Sequence, residues 1–189
     1  MNYIFQILIF CIVLFLYLHI YHHLKTNNDL EVYELDYPSK ETLEEICDIR
    51  QPVLFKYDNQ HIRDSLQLPT IVEQYGVFDV NQRTEYSDES VGTETTTIHH
   101  EPVILHEAME QCRGSQDQVI FEKNQRFLHE TTLDKTMKSH DAFLRPHMVA
   151  SCNYDIIFGS KSTTTPLQYR LQYRNYYMVT HGSATIKLI

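Results

Sequence analysis

The chain has 189 residues, 42% of them apolar, and a formal net charge of −9. That length predicts one main domain with a core of its own. The stretch from Tyr3 to Tyr21 carries no Lys, Arg, Asp or Glu, so the negative charge belongs to the residues after it. Nucleic acids and anionic membrane surfaces favour clustered Lys and Arg, and the composition therefore argues against both as partners.

The N-terminal stretch predicts a transmembrane anchor. Between Tyr3 and Tyr21 only one Gln and one His are strongly polar, and at about 1.5 Å per residue a helix of that length matches the roughly 30 Å hydrocarbon core. A cleaved signal peptide would have a basic n-region and small residues at its cleavage site, and this stretch has neither. A buried core helix is the other alternative. We expect an uncleaved single-pass anchor over residues 1–24 and a juxtamembrane linker over residues 25–30.

Two features favour a cytoplasmic location for the part after the anchor. Lys25 follows the anchor, and cytoplasmic flanks favour Lys and Arg. The four Cys lack Cys-x-x-Cys spacing, and no Asn-x-Ser/Thr glycosylation acceptor occurs, as in a reducing compartment. We therefore expect a single-pass membrane protein with a cytoplasmic C-terminal domain, and lumenal exposure remains the alternative.

Residues 31–189 predict one domain in which helices and strands alternate. The first predicted elements are a strand at Leu30–Leu35, a helix after Pro38-Ser39 with Leu43, Ile46 and Ile49 on its buried side, a strand at Gln51–Phe55, a helix at Leu66–Tyr75 and a strand at Val77–Val80. Residues 81–100 are rich in Ser, Thr, Asp and Glu and predict a polar surface loop or a partly disordered insertion. Further elements are a strand at Pro102–Leu105, a helical turn at His106–Cys112, a strand at Val119–Phe121, and helical segments at Asn124–Thr131 and Leu133–Met137.

The C-terminal part has the alternation of a β-strand. Four apolar residues alternate with four polar ones, namely Leu167, Tyr169, Leu171 and Tyr173 with Gln168, Arg170, Gln172 and Arg174. Successive side chains of an extended chain point to opposite faces. An apolar run at Tyr176–Thr180, a turn at His181–Ser183 and a further alternation at Ala184–Leu188 follow. We expect two or three consecutive antiparallel strands here.

These residues resemble the cupin-like proteins related to JmjC-type oxygenases. The matching string is Phe158-Gly159, Thr165-Pro166-Leu167-Gln168-Tyr169-Arg170, Asn175-Tyr176-Tyr177, Gly182 and Lys187-Leu188. Phe143-Leu144-Arg145-Pro146 resembles the loop that leads into the family's barrel, and Arg50-Gln51-Pro52-Val53 resembles a strand near the start of the domain. The resemblance implies an α/β (α+β) fold with a double-stranded β-helix core. Active members of this family are Fe(II)- and 2-oxoglutarate-dependent dioxygenases.

The sequence departs from the family at two iron ligands. The family's Thr-Pro-Leu-His-Tyr-Asp segment supplies a His and an Asp of the 2-His-1-carboxylate triad, and Gln168 and Arg170 stand in their places. A guanidinium carries donors only and stays protonated, and an amide offers a single neutral carbonyl oxygen in place of an imidazole. We therefore expect a degenerate site with no metal, no resident cofactor and no assigned catalytic residue.

The resemblance also points to candidate ligand-binding residues. Thr165 and Asn175 match positions that help hold 2-oxoglutarate or shape its pocket, whereas the family's cofactor-binding Lys falls near Ala184, and Lys187 fits only after a register shift. Two interpretations of the Gln/Arg face remain open. It is either the solvated face of an ordinary antiparallel sheet, or an inward face on which Arg170 binds an anion, with a bidentate contact to a carboxylate or phosphate.

Other motifs point to no further chemistry. The sequence has 11 His but no His-x-His, His-Glu-x-x-His or His-x-Asp, and it has no Gly-x-Ser-x-Gly or Gly-x-Gly-x-x-Gly. Isolated His residues are by default surface or polar-core residues. We expect no zinc site, serine nucleophile or dinucleotide loop.

Three hypotheses for function follow. The first is a membrane-anchored cupin-like protein that lacks dioxygenase activity and acts as a binding or scaffold module, with an anionic small molecule or an unidentified protein as its partner. The second is a 2-oxoglutarate/Fe(II)-dependent protein hydroxylase with an atypical ligand set, and the third is a structural membrane protein. Because the family's barrel has further strands after the Gly turn, one carrying the second iron His, we expect the sequence to be a fragment. Completion of the barrel by another chain is the alternative.

Overall fold

The computed structural model of the protein describes residues 2–24, 31–88, 95–114 and 118–188. These residues form a mixed α/β structure with two small sheets and without a closed barrel. The chain divides into two compact units, residues 1–58 and residues 59–189.

The first unit begins with helix α1, Asn2–Leu24. Every side chain from Tyr3 to Tyr21 is exposed, and this segment is long and apolar enough to cross a membrane. A helix that is apolar on all sides and exposed has no polar face to turn toward water. One N-terminal apolar helix, of the kind that forms a membrane anchor or a signal sequence, is therefore present. The predicted linker at 25–30 lies outside the described residues.

The rest of the first unit is a strand–helix–strand motif. Strand β1, Tyr33–Leu35, pairs in parallel with β2, Val53–Phe55, in the register Tyr33↔Val53, and helix α2, Lys40–Asp48, connects them. Parallel neighbours need such a crossover. The α2 helix begins where Ser39 Oγ accepts from the Thr42 N–H at 3.2 Å, as an N-cap residue does. The predicted order of elements is confirmed.

The second unit contains one four-stranded sheet and five helices among its described residues. Its elements are α3 Gln60–Ser65, α4 Leu68–Tyr75, β3 Asp79–Asp88, β4 Thr95–Ile104, α5 Leu105–Gly114, β5 Ile120–Phe121, α6 Gln125–Glu130, α7 Leu133–His140 and β6 Phe158–Gly159. The sheet order is β4-β3-β5-β6, and all three neighbouring pairs are antiparallel. The helices predicted between residues 66 and 137 are present in the predicted order, with shifted bounds.

Aromatic rings form the centre of this unit. Phe127 of α6 is 1% exposed and makes edge-to-face contacts with Tyr75 and Phe78, with ring centroids 6.4 Å away in each case. Phe121 of β5 stacks on Phe158 of β6 with centroids 4.8 Å apart. Aromatic pairs in such arrangements contribute more than their buried area alone. These contacts hold α4 and α6 against each other and β6 against β5.

Hydrogen bonds and a glycine fix the approach of β6 to the sheet. A Cβ on Gly159 would lie 2.6 Å from the carbonyl oxygen of Val119, a distance that only glycine avoids. The buried Asn124 side chain accepts from the Asn81 N–H at 2.7 Å and donates to the Ile156 carbonyl at 2.8 Å. One amide thus connects β3 to the segment before β6.

The structure corrects the loop predicted over residues 81–100. Strands β3 and β4 pair in a continuous register from Asp79↔Ile104 to Asp88↔Thr95, and residues 89–94 lie outside the described residues. Thr is a favourable strand residue on a pleated, half-exposed surface. A polar composition is compatible with this hairpin, because the hydrogen bonds between the strands, and not apolar content, satisfy its backbone.

The structure also corrects the C-terminal strands. The residues predicted as strands between Leu167 and Leu188 belong to neither sheet, and the described chain is irregular after β6. Alternation encodes two faces, but a strand also needs a hydrogen-bonded neighbour, and among the described residues no strand pairs with this segment. For the same reason the double-stranded β-helix is not formed among these residues.

Candidate functional site

The two side chains at the family's ligand positions contact each other. Arg170 Nη2 donates to Gln168 Oε1 at 3.0 Å, and both residues are exposed. The contact engages the carbonyl oxygen that Gln168 would otherwise offer to a metal. What the pair presents to a ligand is the remaining guanidinium surface, a permanent cation.

This donor set does not fit Fe(II). A facial triad supplies imidazoles and a carboxylate to the metal, whereas an Arg170 guanidinium at the carboxylate position supplies positive charge and no lone pair. The Gln168 oxygen is neutral and already accepts from Arg170. The pair suits a carboxylate or phosphate far better than a cation.

The remaining candidate residues lie on the same irregular segment. Thr165, Asn175, Ala184 and Lys187 are all exposed. The site residues predicted from the sequence therefore all lie between positions 165 and 187, and none of them is buried. Among the described residues, no group of three or more His, Cys, Asp or Glu is arranged to hold a metal ion.

A buried ionic group on the sheet was missed by the sequence analysis. We call it the Arg83 cluster: Arg83 and Glu85 of β3, His100 of β4 and Glu122 after β5. Arg83 Nη2 lies 2.8 Å from Glu85 Oε1, and Glu122 Oε1 lies 3.6 Å from Arg83 Nη1 and 3.4 Å from His100 Nε2. The Arg83 and Glu122 side chains are only 3% and 8% exposed. This group is the most deeply buried charge arrangement in the described part of the chain.

The Arg83 cluster depends on strand register. Arg83 stands directly opposite His100 in the β3–β4 pairing, so the two side chains share one face of the sheet. Within the described residues, Arg83 Nε and Nη1 are buried without a hydrogen-bond partner. The cluster holds two carboxylates, a guanidinium and an imidazole but no nucleophile, so charge pairing is the chemistry that its geometry supports. The only sequence signal for this cluster was the period-2 alternation of side chains along the two hairpin strands, which the polar composition of the strands obscured.

A second polar cluster closes the loop between α7 and β6. The buried Asp141 side chain, 8% exposed, accepts from Arg145 Nη2 and from the Tyr154 hydroxyl, and Cys152 Sγ lies 3.9 Å from Asp141 Oδ2. Burial and the hydrogen bond to Asp141 raise the pKa of Tyr154. The phenol therefore remains a donor to the carboxylate over the physiological range, and the two side chains hold the ends of this loop together.

We expect Tyr154→Phe to lower the free energy of unfolding by about 1–2 kcal/mol at neutral pH, because Asp141 stays buried and loses a donor. Since the pKa of Tyr154 in the folded state lies above the unfolded value of about 10, its contribution is fully present below pH 10 and is lost as the pH rises through the folded pKa. Urea unfolding at neutral and alkaline pH, followed by circular dichroism, measures both effects.

The control for this prediction is Tyr169→Phe, because Tyr169 is 89% exposed. The control should match wild type at both pH values, and Tyr154→Phe should lose less stability than wild type above pH 10. An equal alkaline loss in all three proteins would contradict a role for the Tyr154 proton.

Comparisons with known proteins identify no relative of this chain. No protein-family model, curated protein or solved structure matches the chain. The resemblance to the cupin-like family thus rests on the motif residues themselves, of which the specific ones lie between Phe143 and Leu188.

Proposed function

We propose that the protein is a membrane-anchored, cupin-like protein that lacks dioxygenase activity and acts as a binding or scaffold module. In this proposal the basic Gln168–Arg170 pair replaces the iron-binding pair of the family and binds a carboxylate or phosphate group. The ligand is an anionic small molecule or an anionic group on a protein.

The observation that carries this proposal is the hydrogen bond between Arg170 and Gln168. It joins the two side chains that stand at the ligand positions, at 3.0 Å, and leaves an exposed guanidinium beside an occupied amide oxygen. Fe(II) at that position would face a fixed positive charge. An anion would instead gain charge-assisted hydrogen bonds, which are roughly twice as strong as neutral ones.

The cupin-like relationship is supported by two motifs and by the order of the secondary-structure elements. The Gly159 position allows no side chain because the Val119 carbonyl is too close, which gives the motif's glycine a structural reason. The Arg50–Val53 motif leads into a strand that follows a helix, as expected from the family. A double-stranded β-helix would require strands between Leu167 and Leu188, and the alternation there is the sequence support for them.

The anchor is supported by α1, because an exposed apolar helix of 23 residues is most stable in a bilayer. A cytoplasmic location of the remaining domain is supported by Lys25 after the helix and by Cys47, Cys112 and Cys152, which form no disulfide among the described residues. Uncleaved, this helix would hold the binding module at a membrane surface.

The test uses the full chain, first in isolated membranes and then purified in a neutral detergent. An alkaline carbonate wash and the mass of the retained chain show whether residues 1–24 stay attached and anchor the protein. Metal analysis and 2-oxoglutarate decarboxylation measure dioxygenase chemistry. Titration calorimetry with 2-oxoglutarate, used as a simple dicarboxylate, measures anion binding to wild type, to Arg170→Ala, and to Arg113→Ala as the matched exposed control.

We expect a chain of full mass that stays in the membrane after the carbonate wash, with no stoichiometric iron and no decarboxylation of 2-oxoglutarate. We also expect dicarboxylate binding that Arg170→Ala weakens by about tenfold, or 1.4 kcal/mol, and that Arg113→Ala leaves unchanged. Stoichiometric iron with decarboxylation would establish the hydroxylase hypothesis instead. Absence of any binding, with Arg170→Ala indistinguishable from wild type, would favour the structural membrane protein. Loss of residues 1–24 would identify α1 as a signal sequence.

A further inference from the structure

The negative net charge of the chain conceals a basic C-terminal part. Residues 1–155 hold 12 Lys and Arg and all 25 Asp and Glu, a formal charge of −13. Residues 156–189 hold no Asp or Glu, and their basic residues are Lys161, Arg170, Arg174 and Lys187. Electrostatic attraction between exposed groups is screened beyond about 8 Å at physiological ionic strength. The local charge, and not the net charge of −9, therefore decides what this part of the chain attracts.

Three of these cations are exposed and have no carboxylate beside them. We call residues 161–188 the basic segment. Lys161, Arg170 and Lys187 are exposed, and within the described residues none of the three forms an ion pair. Arg174 is only partly exposed and is not counted among them. The basic segment thus presents positive charge that no acidic group of the described chain neutralises.

Large apolar side chains lie between these cations and face the solvent. Leu167, Tyr169 and Leu171 are 70%, 89% and 84% exposed, and Tyr177 and Leu188 are exposed as well. Exposed apolar residues at this density indicate an interaction site, and tyrosine is enriched where proteins meet the membrane–water interface. A partner that fits this segment offers negative charge and an apolar layer together.

Alternation along the basic segment separates the two kinds of contact. Leu167, Tyr169 and Leu171 alternate with Gln168 and Arg170, so an extended chain on a flat surface turns its apolar side chains to one side. On a bilayer that side reaches the acyl chains, while the long Arg170 side chain keeps its guanidinium at the lipid phosphates. The backbone lies in neither sheet, and water and headgroups satisfy its polar groups in the interface, as the hydrocarbon core cannot.

The anchor brings this segment to such a surface. Helix α1, the proposed anchor, belongs to the same chain, and a tether turns weak binding into an intramolecular event at high effective concentration. Three exposed cations attract an anionic surface only modestly, which is sufficient for a protein that is already held there. The cytoplasmic leaflet, where we place the domain, carries phosphatidylserine and other anionic lipids.

We propose that the basic segment docks on the anionic leaflet of the membrane that α1 spans. Arg170, Lys161 and Lys187 then contact lipid phosphates and carboxylates, and the exposed Leu and Tyr side chains enter the interface. Docking of this kind rests on the proposed function, because it needs the anchor and uses Arg170 as an anion-binding residue. The anion is then a lipid headgroup, since a soluble phosphate or carboxylate supplies no apolar layer.

The test uses the full chain in vesicles washed with alkaline carbonate, so that only inserted protein is measured. Amide hydrogen exchange of residues 164–188 is compared between neutral phosphatidylcholine vesicles and vesicles that also contain phosphatidylserine. We expect exchange at least about tenfold slower in the anionic vesicles. The difference should vanish at about 1 M salt, where the Debye length is about 3 Å. Inorganic phosphate added to neutral vesicles should give no protection.

Charge reversal at two exposed positions tests the cations. Arg170→Glu/Lys187→Glu should abolish the protection that depends on phosphatidylserine, because carboxylates then face an anionic surface. The matched control is Lys135→Glu/Lys138→Glu, which reverses two exposed charges on α7, outside the segment, and should leave the protection unchanged. All four side chains are exposed, so both variants should keep the wild-type circular dichroism spectrum.

A tryptophan reporter tests the apolar contact. The chain has no Trp, so the emission of Leu171→Trp reports the surroundings of that one position. It should shift to shorter wavelength and be quenched by brominated lipid in the anionic vesicles and not in the neutral ones. The control is Val77→Trp, which lies after α4 and is 82% exposed, and its emission should stay that of a solvated ring in both.

Several results would overturn the proposal and leave the proposed function standing. Equal exchange in both kinds of vesicle, with Leu171→Trp solvated in both, would show that the segment does not dock. Protection already present in lipid-free detergent would show that the segment folds onto its own chain. Protection that grows with protein density in neutral vesicles would assign it to a second copy, and protection by inorganic phosphate alone to a soluble anion.

Failure of the proposed function gives a different result. Release of the protein by the carbonate wash would contradict the anchor and the docking together. If the chain stays inserted and the segment docks, but Arg170→Ala leaves dicarboxylate binding in detergent unchanged, only the small-molecule ligand of the proposed function is lost.

Discussion

Replacement of Arg83 by alanine is expected to lower the free energy of unfolding by about 3–5 kcal/mol. Its guanidinium is 3% exposed and faces Glu122, which is 8% exposed, so the variant leaves a buried carboxylate without its cation. Removal of one partner of a buried ion pair costs more unfolding free energy than the intact pair contributes, because the remaining charge stays desolvated. Urea unfolding followed by tyrosine emission measures the change, since the chain has 13 Tyr and no Trp.

Two variants separate charge from lost packing in the Arg83 cluster. Arg126→Ala removes an exposed arginine from the Arg126–Glu130 pair and should change the free energy of unfolding by at most about 1 kcal/mol. The double variant Arg83→Met/Glu122→Leu removes both charges and should be more stable than Arg83→Ala. A double variant as unstable as Arg83→Ala would show that packing, not the unpaired carboxylate, accounts for the loss.

Phe127→Ala is expected to cost about 3–5 kcal/mol of unfolding free energy, the range for emptying a buried aromatic site. Phe127 is 1% exposed and contacts Tyr75 and Phe78 edge to face, so the cavity opens between α4 and α6. Tyr75 is held by α4 and Phe78 by the turn that follows α4, so these side chains can fill only part of it. The same unfolding measurement checks this value.

The control for the Phe127 prediction is Tyr169→Ala, whose ring is 89% exposed. Removal of that ring should change the free energy of unfolding by no more than about 0.5 kcal/mol. A large loss in the Tyr169 variant would mean that this ring is packed in solution.

Local patterns predicted the helices well. Gly76 after Leu66–Tyr75 predicted the end of α4, and Ser39 before an acidic turn predicted the start of α2. Both signals are short in range, since a helix satisfies its own backbone and needs only one apolar face. Thr132, with a φ of 60°, separates α6 from α7, and no residue type in the sequence announced that break.

Strand pairing was poorly predicted because it depends on residues that are distant from each other in the sequence. The β3–β4 hairpin has a polar composition, and only the structure shows its register, in which Arg83 lies opposite His100. The C-terminal alternation was as clear as any in the chain, yet those residues form no strand here, because no neighbouring edge pairs with them. Strand identity is a property of two segments, and one segment cannot specify it.

The sequence by itself determined the N-terminal apolar helix and the helices α2, α4, α5, α6 and α7, because each of these follows from side-chain chemistry within a few residues, whereas α3 was not predicted. That Gln168 and Arg170 hold no Fe(II) stays a prediction from the same local chemistry. Only the tertiary structure decided the β3–β4 hairpin, the burial of Arg83 with Glu122, and the joining of Asp141 to Tyr154. Those features bring together residues distant in sequence, and burial, which sets the cost of every charge they contain, exists only after the chain has folded.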